Sequence, residues 1–215
     1  MNARKLQEFF FFLFPVRIVD ETLKSLQSVA AKFNQPVEVI RHSQDVPEGL
    51  EDWEKDFLDR FMRHKGTVLD VGCGAGREAI ALARLGFEVT GIDTAERMIE
   101  AAERNAGAST VKVKFEIKGA TEIDYPPRTF DYVFFSRAIY SFIPTRALRI
   151  RVLRSAGKVL KPGGLAVFSA YYYGKRNWYS RTYLLDLVRK FMHFMPGSRF
   201  KTEPGDTLFR RVSTA

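Results

Sequence analysis

Residues 67–77 read Thr-Val-Leu-Asp-Val-Gly-Cys-Gly-Ala-Gly-Arg. The stretch Thr67–Val71 has the length and β-branched content of a strand. Gly72, Gly74 and Gly76 follow it, and glycines let a backbone turn tightly and approach a ligand closely. From Arg77 to Leu85 the apolar spacing is helical, with Gly86 as a stop. In an α/β protein, ligands sit beyond the carboxyl ends of the strands, where this turn falls. The N–H groups at the start of the helix favour an anionic group on the ligand.

Working outward, the alternation continues. Strands are predicted at Phe87–Ile92, Val111–Ile117, Asp131–Phe135 and Leu165–Ala170. Helices are predicted at Ala95–Asn105 and Thr145–Leu160, the latter stopped by Lys161-Pro162-Gly163-Gly164. Alternating strands and helices imply a parallel sheet with helices on its faces. Asp93 ends the second strand, and one carboxylate there has two oxygens for two ribose hydroxyls. The loop does not carry the dinucleotide pattern G-x-G-x-x-G, because Arg77 stands where the third glycine belongs, and there is no phosphate-loop lysine pattern. The layout points to a nucleoside-containing ligand.

Before the alternation, Asp20–Phe33 and Leu50–Met62 read as amphipathic helices forming an N-terminal cap. Trp53, Phe57, Leu58 and Phe61 fall on one side of the second. Residues 34–48, with Pro36 and Pro47, read as loop or short extended pieces. After residue 170 come Tyr171-Tyr172-Tyr173, Lys175, Arg176, Trp178 and Tyr179, a helix over 178–195, and a weak strand at Leu208–Val212. The expected organisation is a cap or lid (1–64), a ligand-binding core (65–172) and a basic, aromatic segment roofing the substrate site (173–215).

The chain has 215 residues, 46% of them hydrophobic and 27% charged, which excludes wholesale disorder. A single cysteine, Cys73, excludes an intrachain disulfide and fits a cytoplasmic location. The longest apolar run, Phe9–Val16, is too short to span a membrane. Glu8, Pro15 and Arg17 break its resemblance to a secretory signal. Its alternatives are a patch docked on the domain, a flap over the site, or a membrane-surface contact through Phe9–Phe14. The net charge of +9 is uneven: residues 1–130 carry 18 Lys+Arg against 21 Asp+Glu, and residues 131–215 carry 16 against 4. Such a surplus marks either a solvated helix face or a negatively charged partner: nucleic acid, an anionic membrane or an acidic protein.

Four stretches in order, Val68–Gly76, Val89–Met98, Phe130–Ser136 and Val159–Ser169, resemble the motifs of the class I S-adenosylmethionine-dependent methyltransferases. The resemblance covers about half the chain, residues 60 to 172. It implies a Rossmann-like three-layer α/β/α fold with a mostly parallel sheet, and S-adenosylmethionine as cofactor with S-adenosylhomocysteine as product. It implies that Gly72, Gly74 and the backbone around Cys73 line the methionine end, that Gly76 also belongs to the cofactor site, and that Asp70 helps hold the loop and lies near the amino group. Asp93 would take the ribose hydroxyls, Thr94 and Met98 would lie by the adenine, and Ser136 would close strand four beside the cofactor. The sequence departs from the family twice. No acidic residue follows the third strand, so the adenine is left to backbone groups around Ala120, to Thr121 or to Glu122. The last two strands of the usual sheet are hard to find in 171–215.

The substrate side is less defined. Tyr140, after strand four, and His42, in the predicted loop, are its candidates, and no convincing general base or metal-ligand set is visible. The reading favours a methyltransferase acting on an N or O atom of a small molecule. Alternatives are an RNA or protein methyltransferase using the basic C-terminal region, and a non-catalytic S-adenosylmethionine-binding protein or a truncated fragment. The sequence does not reveal an oligomeric state.

Overall fold

The structure, a computed structural model, describes residues 21–62 and 64–169, with side chains from residue 26 onward. Phe9–Phe14, Tyr171–Tyr173, the helix predicted over 178–195 and the strand predicted at Leu208–Val212 lie outside the described residues, as does the question of further strands.

The alternation predicted from the sequence is present. Helices α1 (Glu21–Phe33), α2 (Pro36–Gln44) and α3 (Asp52–Phe61) precede β1 (Thr67–Val71). Then follow α4 (Arg77–Arg84), β2 (Glu88–Asp93), α5 (Glu96–Ala108), β3 (Lys114–Ile117), β4 (Phe130–Phe135), α6 (Arg146–Val159) and β5 (Leu160–Phe168). The five strands pair in the order β3-β2-β1-β4-β5, all parallel. The order reverses between β1 and β4, so their carboxyl ends open a crevice there.

The central strands are apolar on both faces because helices cover both. Leu69 and Val71 of β1 and Val133 and Phe135 of β4 pack against Val152, Ala156 and Val159 of α6. Val68 and Phe134 face the other way, onto Ala79 and Leu82 of α4 and the half-buried Phe57 and Leu58 of α3. Full burial of each such side chain contributes about 1.5–3 kcal/mol. The remaining cap helices rest on α5: Val46, Ile80, Met98 and Ala101 form a third cluster, with Phe33 and Val39 against it.

Three local expectations are corrected. Residues 36–44 are helical, not loop. Pro36 stands in the first helical turn, where its missing N–H costs no hydrogen bond, so it starts α2 instead of breaking the chain. In α3, Trp53 and Phe61 are exposed while Glu54 is fully buried. β5 starts at Leu160 and passes through the Pro162-Gly163-Gly164 stretch, with a register irregularity opposite Phe130 and Tyr132 absorbing it. No helix among the described residues is long and apolar enough to cross a membrane.

Candidate functional site

The glycine loop after β1 is held down by β2. The Gly72 and Cys73 N–H groups both donate to the Ile92 carbonyl, at 2.7 and 3.0 Å. The Gly74 N–H donates to Asp93 Oδ2 at 3.0 Å, and the Ala95 N–H to Asp93 Oδ1 at 2.9 Å. These loop amides are therefore engaged, and what the loop offers a ligand is space. Gly72 has φ +75°, and a Cβ there would lie 2.7–2.9 Å from the Ile139 side chain, so only glycine fits. Cys73 is buried against Gly91. Burial, then Asp70 and Asp93, push its thiol well above the usual range, which leaves it inert.

Above the loop lies a cavity of about 570 Å³. Its floor is Gly72, Cys73, Gly74, Asp93, Thr94 and Met98, and Lys118 and Ala120 close one side. Its roof comes from the cap: Leu26, Val29 and Phe33 of α1, Arg41 and His42 of α2, and Glu51 and Trp53 at the start of α3. Arg77, Glu78, Arg137, Ile139 and Phe142 complete the wall. Phe33 meets His42 and Phe142 edge-on, with centroids 5.7 and 5.9 Å apart.

Most of the residues expected at the site are thus brought together. Asp93 is half-buried. Its pKa is raised by burial against the opposing N–H groups of Ala95, Gly74 and Thr94. His42 reaches over the loop, its Nδ1 3.6 Å from where a Cβ on Gly74 would stand. The pKa of His42 is lowered by burial, then by Arg41 and Arg137, so the ring is neutral near pH 7. Arg41 Nη2 lies 3.3 Å from His42 Nε2. A guanidinium only donates, so Nε2 accepts and the ring proton sits on Nδ1.

Other expected residues are placed elsewhere. Tyr140 does not line the cavity. It packs edge-on against Phe168 at 5.3 Å and joins the α6-side core. Gly76, Thr121 and Ser136 are not among the lining residues, and Asp70 lies beneath them, 1% exposed. Glu122 is drawn off by the Gly119 N–H at 3.0 Å.

Under the loop is a charged cluster that the sequence reading missed. Glu54 of α3, 0% exposed, accepts from Arg77 Nη1 and Nη2, both at 2.9 Å, and from the Glu51 N–H at 2.6 Å. The Ser136 hydroxyl also donates to it. Arg77 further reaches Glu78 Oε1 at 2.5 Å and the Gly49 carbonyl. Arg137 spans Asp45 and Glu51, the latter at 3.3 Å. Asp70 Oδ2 and Arg77 Nε find no partner among the described residues. Burial, then Glu78 and Glu54, push Asp70 well above the usual carboxylate range, and Arg77 opposes them. Two signals could have exposed this cluster: the Glu51-x-x-Glu54 capping box and an Arg77-Glu78 pair opening a helix whose next six residues are apolar but for the terminal Arg84.

Comparison with known proteins agrees with this geometry. Residues 68–164 match a family described as a methyltransferase domain. The chain is 32% identical over 133 residues to a ubiquinone biosynthesis O-methyltransferase of Proteus mirabilis, covering 59% of this chain and 52% of that protein. It is 30% identical over 152 residues to a demethylmenaquinone methyltransferase of Staphylococcus aureus, covering 69% and 59%. A solved S-adenosylmethionine-dependent methyltransferase of Methanosarcina mazei superposes with a TM-score of 0.55 at 25% identity, over 75% of this chain and 76% of that one. The chain spans about half the length of the curated relatives it matches.

The residues present fit the cofactor named for the Methanosarcina mazei protein. S-adenosylmethionine is a cation with an ammonium and a sulfonium. The floor under the cavity sets Asp70, Glu54 and Glu78 against Arg77, and one buried carboxylate oxygen, Asp70 Oδ2, has no donor among the described residues. Asp93 keeps a second lone pair on each oxygen for hydroxyls.

Proposed function

We propose that this chain, which belongs to the class I S-adenosylmethionine-dependent methyltransferases, transfers a methyl group to an oxygen or nitrogen of a small-molecule acceptor. The observation that carries the reading is a single cavity lined on one side by the glycine loop and Asp93 and on the other by apolar cap side chains. The relatives' names favour the same acceptor class, since they concern ubiquinone biosynthesis and demethylmenaquinone.

Each residue then has a task. Asp93 accepts from the ribose hydroxyls. Thr94, Met98 and Ala120 bound the adenine, where the buried Met98 offers a polarizable surface to a ring. Asp70 supplies negative charge to the amino group. Gly72 and Gly74 leave room for the methionine chain, with Cys73 and Gly76 as small residues of the same turn. Ser136 supports the floor through Glu54. The bound cofactor supplies a methyl on a positively charged sulfur, an electrophile that needs no further activation. The protein's part is to align the acceptor and exclude water. The described part of the expected cap, residues 26–62, lies over the core that begins at residue 65, and the segment 173–215 expected to complete the roof lies outside the described residues. Phe33, Phe142, Leu26 and Val29 give the acceptor an apolar, aromatic wall. His42 presents Nδ1–H to it as a donor, which orients an oxygen or nitrogen acceptor without serving as the base.

Calorimetric titration with S-adenosylhomocysteine tests the reading. Micromolar binding is expected in the native chain, with a loss of at least 100-fold in Asp93→Ala. Equal affinity in both would refute the site.

A further inference from the structure

We propose that Glu54 is a positioning residue through which the helical cap and the two walls of the cofactor site are set as one unit. The proposal rests on the cofactor reading above. Glu54 does not line the cavity. Its carboxylate instead bonds, from within α3, to the two core positions from which the walls spring. One is Arg77, the first helical residue after Gly76, held at 2.9 Å through both terminal nitrogens. The other is Ser136, the residue after β4, whose hydroxyl donates to Oε1. These partners are 23 and 82 residues away in sequence.

What lies next to each partner makes the link consequential. Arg77 is itself a cavity-wall residue and also grips the Gly49 carbonyl and Glu78. Ser136 leads directly into Arg137 and Ala138, two left-handed residues at φ +45° and +58° that also face the cavity. Such conformations are strained and persist only where the surroundings fix them. Arg137 then returns to the cap, bonding Asp45 and Glu51. The cap stretch 45–54 is therefore pinned from below by Arg77 and from the side by Arg137. Glu54 touches the roots of both pins from within the cap, whereas Glu78, which also meets Arg77 and Ser136, belongs to the core helix α4.

The cap stretch carries Glu51 and Trp53 into the cavity, with Trp53 Nε1–H on Glu51 Oε2 at 2.8 Å. With Glu54 neutralised, Arg77 keeps Glu78, the Gly49 carbonyl and Glu51 at 3.7 Å but loses its two-point anchor in α3, and the Ser136 hydroxyl loses the charge of its partner in the cap. Both walls and the roof then lose their common reference. The site loses affinity for its ligand, and the ligand loses its hold on the cap.

The test is titration of S-adenosylhomocysteine into the full chain, together with hydrogen exchange over 45–61 with and without that ligand. In the native chain the ligand should slow exchange across 45–61. Glu54→Gln, with unchanged far-ultraviolet dichroism, should bind at least tenfold more weakly and show no ligand-dependent protection there. A purely structural Glu54 would lower the melting temperature yet leave affinity within twofold and protection intact, and that result overturns the proposal. If Glu54→Gln does not fold, Arg137→Met decides, because Arg137 is partly exposed. It should weaken binding at least threefold and erase the protection, and no change in either overturns the proposal. A native chain that does not bind S-adenosylhomocysteine overturns the cofactor reading and this proposal together. Native binding with unaltered variants overturns this proposal alone.

Discussion

The two ends of strand β1 each carry a carboxylate network, and they are built on opposite terms. At the amino end, Asp131 Oδ2 accepts from the Thr67 N–H at 2.8 Å, the Thr67 hydroxyl at 2.9 Å and Lys161 Nζ at 2.8 Å. Burial pushes its pKa up, but these bonds prevail and hold it well below the usual carboxylate range. At the carboxyl end, Glu54 and Glu78 share Arg77 beside Asp70, and two buried polar atoms find no partner among the described residues. Buried polar groups are normally satisfied, so a network left short of positive charge marks where a ligand's charge belongs. The satisfied end holds β1, β4 and β5 in register. The unsatisfied end lies under the cavity.

The largest expected effect strikes the unsatisfied end. Arg77→Met leaves Glu54 and Glu78 buried without their cation, which costs about 3–5 kcal/mol. Urea unfolding measures it, and a loss under about 1 kcal/mol would mean the cluster relaxes freely and the two ends do not differ.

Asp131→Asn should cost about 1–2 kcal/mol by weakening the Thr67 and Lys161 bonds. It should leave S-adenosylhomocysteine affinity within twofold. The sign with pH is fixed by a depressed folded pKa. Asp131 contributes its stability above the unfolded value near 3.9, and that contribution fades as pH falls through the lower folded value. The variant's unfolding free energy should therefore vary less with pH below about 5 than that of the native chain. A change in ligand affinity would erase the distinction between the ends.

This contrast also separates what the sequence shows from what it hides. Thr67–Val71, the glycine turn and Asp93 are legible because each is a local pattern: a short β-branched run, a turn that needs positive φ, a carboxylate at a strand end. The cap is not. Pro36 reads as a breaker because the sequence alone does not say that a helix begins there. In α3, periodicity assigns Trp53 and Phe61 to the core, yet Glu54 takes the buried position and they stay exposed. A charge can occupy a core face only when distant partners neutralise it, and Arg77 and Ser136 are distant in sequence. Tyr140 fails for the same reason. Its position after β4 suggests the substrate, but Phe168 and the α6 side of the core hold it away from the cavity.

The smallest expected change in stability has the opposite sign, and it discriminates best. Burial, Glu78 and Glu54 raise the folded pKa of Asp70 above its unfolded value. The penalty for ionising it in place is therefore absent below the unfolded value near 3.9, grows as pH rises from there, and is complete above the folded value. An asparagine at this position resembles the protonated acid and does not titrate. Asp70→Asn should match the native chain's stability near pH 3, below the unfolded carboxylate value, and exceed it by about 1 kcal/mol or more at alkaline pH, the usual direction when a functional site is relieved of strain. The same change removes negative charge from under the cofactor's amino group, so S-adenosylmethionine should bind about tenfold more weakly. Titration of the native chain in two buffers of different ionisation heat should register proton release on binding, as the arriving ammonium favours the Asp70 carboxylate, and the variant should release less. If Asp70→Asn instead loses stability and binds the cofactor as the native chain does, Asp70 serves the sheet as Asp131 does. The unpaired oxygen would then have no bearing on the ligand.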